Sequence, residues 1–314
     1  RASLYDSYKF VLDDLAEAEK RLDKEEDAYS NEYITSAAAQ ALHARVALYM
    51  QDWDTAIEYA SILIDDKKNT FKLADAKTKY NADYTFFDYM WAYDLSYEII
   101  WRIGFTETSY GSPLGTVFLD LTYYYPDYVP ATAALNLYDD ADLRYSGYFA
   151  GKEQGLTIGY TNGLDWPMLV KYYGNRNFTS KLIFHVSMPK PFRLAEQYLI
   201  RAEAYCRKND FTKAGNDLTA LRKMRYASGG TLNVSKNNWL QTISDERVRE
   251  LYMEGFRLHD LKRWGREYAD LNGGYSIRRT PQSWGGGRGG GRSKAAPHQK
   301  QHRERTKNQA RGPP

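Results

Sequence analysis

A chain of 314 residues is long enough for one large or two ordinary domains around a sizeable core. Its single cysteine, Cys206, excludes an internal disulfide or a multi-cysteine metal site, and no run of about 20 apolar residues exists to span a bilayer. The formal charge of +3 is unevenly placed: ten Lys/Arg and one Glu fall in 275–314, which leaves 33 basic and 39 acidic residues, a net −6, in the body.

Residues 1–65 read as helical. Leu4, Tyr8, Val11, Leu12, Leu15 and Leu22 recur on one amphipathic face. A turn is expected near residues 27–31, followed by an alanine-rich helix from Ala37 to Met50 whose small side chains at Ala37, Ala38, Ala41 and Ala44 allow close helix approach. Gln51 to Asp54 forms a short hairpin turn into a second helix through Trp53, Ala56, Ile57 and Ala60. The stretch 44–60 is echoed at 202–218, with Asp52 matching Asp210, Trp53 matching Phe211 and Ala56 matching Ala214. Both read as tetratricopeptide-type (TPR) hairpins. Such repeats normally run in tandem, so the interval between them reads as an insertion into a helical scaffold.

That insertion, 66–190, is rich in tyrosine, glycine, proline and aspartate and keeps no helical period. Residues 97–103 alternate as a short strand or extended edge, and Leu135 to Tyr138 is a candidate short helix before an aspartate-rich turn at Asp139 to Asp142. A long loop-rich stretch in an ordered protein is usually functional. The chain has 28 tyrosines against 12 phenylalanines and 7 tryptophans, a bias toward rings that present a hydroxyl to water or to a polar ligand. Carbohydrate binding needs flat aromatic faces and planar polar groups. The candidate ligand-binding residues are Trp91, Tyr123, Tyr124, Tyr125, Tyr128, Trp166, Tyr172, Tyr173, Asn175 and Arg176, with Tyr93, Trp101, Tyr110, Arg102, Asn162 and Asp165 as further options. The run from Tyr123 to Tyr128 is the sharpest of these, because consecutive tyrosines cannot all point inward and Pro126 stiffens the loop. Any one ring has the alternative of covering the helical scaffold, and for Trp101 that alternative is preferred.

The third segment, 191–272, is helical again and ends in TISDERVRELYMEGFRLHDLKRW, Thr242 to Trp264. Thr242 and Asp245 read as a capping start, and Val248, Leu251, Leu258 and Leu261 as one buried stripe. Glu246, Glu250 and Glu254 stand at i, i+4 and i+8 beside Arg247, Arg249 and Arg257, a charge pattern that reads as a solvated, salt-bridged face. Gly255 inside the run points to close packing or a kink. Together with RLAEQYLIRAEAY, Arg193 to Tyr205, this string resembles the two strong motifs of the SusD/RagB family, surface glycan-binding lipoproteins of Bacteroidetes-type bacteria.

The resemblance implies a mainly α, SusD-like fold: a TPR-like hairpin scaffold carrying a large irregular insertion as the ligand face. It further implies non-catalytic capture of oligosaccharide at the outer membrane, a SusC-type TonB-dependent transporter as partner, and a lipid anchor on a portion N-terminal to Arg1. On this reading the signature carboxylates are scaffold, with Arg257 and Arg263 tied to nearby acids so that the last helix locks onto the repeats. The alternative function is a TPR-type scaffold that binds peptide. No cofactor, metal or nucleic acid is expected, since His43, His185 and His259 are isolated and no nucleotide or nucleophile motif occurs. Residues 273–314 are low in complexity and cannot bury enough surface to fold. They read as a frame-shifted or vector-derived end in preference to an arginine/glycine RNA-binding tail.

Overall fold

Helices carry the fold of this computed structural model, which describes residues 3–22, 31–68, 70–119, 126–150, 166–265 and 267–268. In chain order the elements are α1 (Leu4–Arg21), α2 (Ser36–Met50), α3 (Trp53–Ile64), α4 (Phe86–Tyr93), β1 (Ile99–Trp101), α5 (Thr132–Leu135), α6 (Arg144–Tyr148), β2 (Phe149–Ala150), β3 (Met168–Leu169), α7 (Arg176–Thr179), β4 (Phe192–Arg193), α8 (Leu194–Arg207), α9 (Phe211–Lys223), α10 (Trp239–Glu250) and α11 (Arg257–Trp264). Among the described residues two short antiparallel ladders accompany them: β1 with β4, Ile99 opposite Arg193, and β2 with β3, Phe149 opposite Leu169.

The two hairpins share one local design. Gln51 and Asn209 each take a left-handed backbone that reverses the chain, at φ 64° and 62°. The next residue in each, Asp52 or Asp210, caps the following helix by accepting from the amide of Thr55 at 3.2 Å or Lys213 at 3.1 Å. The helices then stack in the order α1, α2, α3, α8, α9, so hairpins far apart in sequence become neighbours in space. The seam between them is made of Ala44, Ala47, Ala56, Ala60 and Ala204 with Leu48 and Ile200, all fully buried. Small side chains let the backbones close, and the larger apolar ones each add about 1.5–3 kcal/mol by leaving water. On α1, the inner face is Tyr8, Leu12, Leu15 and Leu22, while Leu4 remains 74% exposed.

The insertion has a core of its own. Phe87, Met90, Leu119, Tyr148, Phe149, Met168 and Leu169 pack together beneath short helices and ladders. Part of the tyrosine excess serves this packing. The hydroxyls of Tyr138, Tyr148 and Tyr172 donate to the carbonyls of Arg249 (3.0 Å), Glu250 (3.0 Å) and Met253 (3.1 Å). Carbonyls at a helix end have no intrahelical donor, and the phenols of Tyr138 and Tyr148 supply one at the end of α10, while that of Tyr172 serves the turn that follows.

The signature segment departs most from expectation. It forms two helices: α10 starts three residues before Thr242, and the chain turns between Leu251 and Phe256 through Met253 at φ 58° and Gly255 at φ 90°. A Cβ at Gly255 would meet nothing within 4 Å, so the glycine is required by its left-handed backbone, and close packing plays no part. With the helix broken, the expected stripe does not form, and Leu258 is 59% exposed. The carboxylate row is buried, contrary to the solvated face expected. Glu250 accepts from Arg144 at 3.1 Å, from Arg193 at 3.0 Å and twice from Arg225 at 3.0 Å. Glu246 pairs with Arg144 at 2.7 Å, and Glu254 with Arg193 at 2.6 Å and Lys171 at 2.7 Å. Glu98 closes the set by accepting from Arg193 and Arg225. These charges come from the insertion, the scaffold and the signature segment, so one network fastens all three. The expected lock on the last helix forms through Arg263, which donates to Glu203 and Asp260, whereas Arg257 bonds Ser244 and Tyr268.

Candidate functional site

The site is built on the C-terminal end of α4. Thr85 and Asp88 close a reciprocal capping box at its start, and Asp94 ends it in a left-handed conformation, φ 57°. The fully buried Asp94 carboxylate accepts from the side chain of Asn175 at 2.8 Å, from the amide of Met188 at 3.0 Å and from Lys190. Asn175 also donates to the Tyr93 carbonyl at 2.9 Å and accepts from the Asn177 amide at 3.0 Å, which starts α7. This clasp fixes the backbone on which Tyr173, Gly174 and Arg176 stand. Replacing Asn175 with alanine leaves buried acceptors without donors. We expect a loss of about 2 kcal/mol, read as a lower melting temperature by circular dichroism, with Asn177→Ala unchanged.

Beside the clasp lies a cleft of about 440 Å³, lined by Asp83, Tyr84, Asp88, the edge of Trp91, Ser146, Tyr173 and Arg176 among others. The Arg176 guanidinium lies 4.3 Å from the centroid of the Tyr173 ring, a cation–π stack that presents a flat charged plate. Gly147 lines the same cleft, where a Cβ would meet Phe87 at 3.1 Å and an Asp88 carboxylate oxygen at 3.2 Å. Among the described residues, the Trp91 indole nitrogen and the Arg176 Nε are buried donors with no hydrogen-bond partner, and both residues line this cleft. Tyr84 meets the edge of Tyr93 at 5.5 Å, and Tyr93 stacks on Tyr89 at 4.5 Å, with Tyr80 a further 4.0 Å from Tyr89. Carboxylates, a stacked guanidinium and ring faces around a half-open cleft can hydrogen-bond hydroxyls and cover the apolar side of a ring-shaped polar ligand.

The residues singled out in the sequence fall into several places. Tyr173 and Arg176 meet at the cleft. Trp91 sits at its wall, but its ring already lies against cations, with Lys171 at 4.3 Å, Lys190 at 4.8 Å and Arg193 at 5.2 Å, which leaves its N–H as the group to offer. Tyr172 and Asn175 are buried, the first in the core with its hydroxyl on Met253, the second in the clasp. Their place is the frame beneath the surface, because each polar group already has a partner there. Burial pushes the adjacent Lys171 ammonium down to about 8, against the pull of Glu254. Tyr128, 63% exposed, and Trp166, whose indole donates to Pro130 at 2.7 Å, form a separate corner that does not line the cleft. Tyr123, Tyr124, Tyr125, Asn162 and Asp165 lie outside the described residues, as does the segment 273–314. The tyrosines at 80, 84 and 89 escaped the sequence reading. Tyr89 and Tyr93, at i and i+4 on one helix face, were the available signal.

Residues 140–312 match the family model of the SusD family. The starch-binding protein SusD of Bacteroides thetaiotaomicron VPI-5482 is 37% identical over 134 residues, which is 40% of this chain and 22% of that protein. Among solved structures, a SusD superfamily protein from the same strain superposes with a TM-score of 0.67 at 24% identity, covering 84% of this chain and 57% of the other. A SusD-like carbohydrate binding protein from Bacteroides vulgatus ATCC 8482 gives 0.66 at 25% identity, with 84% and 52% covered. Surface glycan-binding protein A from Bacteroides uniformis gives 0.60 at 20% identity, with 82% and 57% covered. The chain thus spans 22% of the curated relative and between half and three-fifths of these solved ones.

Proposed function

This chain belongs to the SusD family, and from that premise we propose that it captures an oligosaccharide or polysaccharide without cleaving it. The observation that carries the reading is the cleft beside the Asn175 clasp, where the Tyr173–Arg176 stack faces Tyr84, Asp83 and Asp88. Sugar rings offer one apolar face and a rim of hydroxyls, and this lining has a partner for each. The names of the relatives, a starch-binding protein and surface glycan-binding proteins, support the same ligand class. Delivery of the glycan to a SusC-type TonB-dependent transporter, at the outer-membrane surface and by a lipid-anchored protein, belongs to the proposal through the family. The exposed Tyr128 ring, two residues from the Pro130 carbonyl that holds the half-buried Trp166, is included as an accessory contact.

The non-catalytic part comes through the family and is supported by where the signature acids stand. The signature carboxylates Glu246, Glu250 and Glu254 are held by arginine or lysine in the interior, which removes them as proton donors or nucleophiles for a glycosidic bond. Affinity electrophoresis of the full chain through starch, xylan, mannan, arabinan and β-glucan tests the whole reading. Retarded migration is expected in one polysaccharide class, weakened about tenfold, or about 1.4 kcal/mol, by Tyr173→Ala or Arg176→Ala. The polysaccharide should be recovered at its starting length. Shortened product, or retardation that survives both substitutions, would overturn this assignment.

A further inference from the structure

The Asn175 clasp has a cleft on each side. The second, about 500 Å³, is lined by Tyr93, Arg102, Phe105, Glu107, Thr108 and Asn177 among others. Neighbouring residues of the same two segments line different clefts: Trp91 and Ala92 the first and Tyr93 and Leu95 the second, and likewise Gly174 and Arg176 the first and Asn175 and Asn177 the second. The Tyr93–Asn175 hydrogen bond ties together the two segments on which both linings draw.

The second cleft repeats the chemistry of the first. Phe105 and Tyr93 supply rings, Thr106, Thr108 and Asn177 supply hydroxyl and amide groups, and Arg102 supplies a buried guanidinium. Arg102 is 4% exposed and donates to Glu32 at 2.6 Å and to Met188, but its Nε has no partner among the described residues. A buried donor without a partner in a cleft wall is what a ligand hydroxyl satisfies. Neither lining has a surplus of positive charge: Asp83 and Asp88 accompany Arg176 in the first, and Glu107 accompanies the Glu32-paired Arg102 in the second. A carboxylate-bearing sugar would meet two carboxylates against the single Arg176 guanidinium in the first lining, and Glu107 against an already paired Arg102 in the second, a balance that disfavours it.

We propose that the second cleft is a further sugar subsite, and that one uncharged linear glycan lies across the clasp and occupies both. This rests on the glycan reading of the first cleft. Binding of the second segment of the chain is then intramolecular, and affinity rises once the ligand is long enough to reach.

Calorimetry on the full chain tests it, with oligosaccharides graded upward from the disaccharide and prepared from whichever of the five polysaccharides is retained. Affinity should rise about tenfold at the length that first spans the clasp. Asn177→Ala and Phe105→Ala should each remove that rise and leave the shortest ligand unaffected, whereas Arg176→Ala should weaken every length. Asn177 is exposed, so its variant keeps the test valid should loss of the Phe105 ring disturb folding. Affinity that stays flat with length, a rise that survives in the Asn177 variant, or a preference for oligogalacturonides would overturn the second subsite with the first intact. Absence of binding to every polysaccharide would overturn the glycan reading, and this subsite with it.

Discussion

Glu250→Ala is expected to destabilise the protein by about 3–5 kcal/mol, the effect of breaking a buried ion pair by removing one partner. The side chain is fully buried and receives hydrogen bonds from Arg144, Arg193 and Arg225, all of them fully or almost fully buried. Deleting it strands three guanidiniums around one cavity, with Glu98, Glu246, Glu254 and Asp142 left to balance them. A loss of this size is a large part of the roughly 5–15 kcal/mol that holds an ordinary domain together. In a thermal melt it corresponds to a drop of roughly 10 °C or more, with reduced soluble yield. Glu250→Gln keeps the shape and loses the charge, so it should fall most of the way to the alanine variant. Glu17→Ala is the control, because that carboxylate pairs with Lys20 and Arg21 on the exposed face of α1 and pairs of this kind contribute little. A Glu250→Ala melt that overlays the parent would show that the arginines do not depend on this hub.

Acid should unfold the protein over a window set by the same groups. Burial alone would raise the Glu246 carboxyl, but Arg144, Arg249 and Arg222 together hold it down at about 2, against an ordinary 4.5. Burial would likewise raise Glu250, Glu254 and Glu203, yet the arginines around them hold all three below the usual carboxylate range. A folded-state value below the unfolded one means that the unfolded chain binds more protons across the interval. Stability from these groups is therefore complete above the ordinary carboxyl value and is lost as pH falls toward the folded value. For Glu246 the interval corresponds to about 3 kcal/mol at about 1.36 kcal/mol per pH unit. Asp217 and Asp245, whose carboxyls burial raises, act in the opposite direction and only soften the fall. Urea unfolding from neutral pH to about pH 3 should show a steady midpoint at first, then a steep decline below the ordinary carboxyl range. In Glu246→Gln the midpoint should start lower and decline less. A midpoint that holds constant to about pH 3 would mean the network does not stabilise the fold through its charge.

The glycan proposal depends on this network indirectly. Lys171 reaches Glu254 and the Tyr252 carbonyl while lying against Trp91 and Tyr148, so the wall of the first cleft is seated on the charged core. A variant that loosens the core is expected to weaken binding through the wall even though it touches no ligand. For that reason the binding tests use Tyr173, Arg176, Asn177 and Phe105, which are not fully buried and stand outside the network.

What could be read from the sequence was what neighbouring residues decide among themselves. The matched Asp52 and Asp210 in polar turns, the small alanines and the repeat of 44–60 at 202–218 are local patterns, and they predicted the two hairpins. The strand at Ile99–Trp101 was visible in its alternation, and the two family motifs were visible as strings. Three features depended on tertiary structure. The charge row at 246, 250 and 254 has the spacing of a solvated face. It is buried because its partners, Arg144, Lys171, Arg193 and Arg225, arrive from other parts of the chain, with Asp142 and Glu98 sharing the arginines. Tyrosines look alike in a sequence, yet Tyr138, Tyr148 and Tyr172 are consumed by carbonyls at the end of α10 and in the turn after it, while Tyr84 and Tyr173 remain at a cleft. The clefts themselves exist because Asn175 reaches Tyr93 and Asp94 across 82 and 81 residues of chain. Periodicity and capping are encoded within a helical turn or two, whereas burial of a charge and the walls of a cleft are set by whichever distant residues the packed fold brings against them.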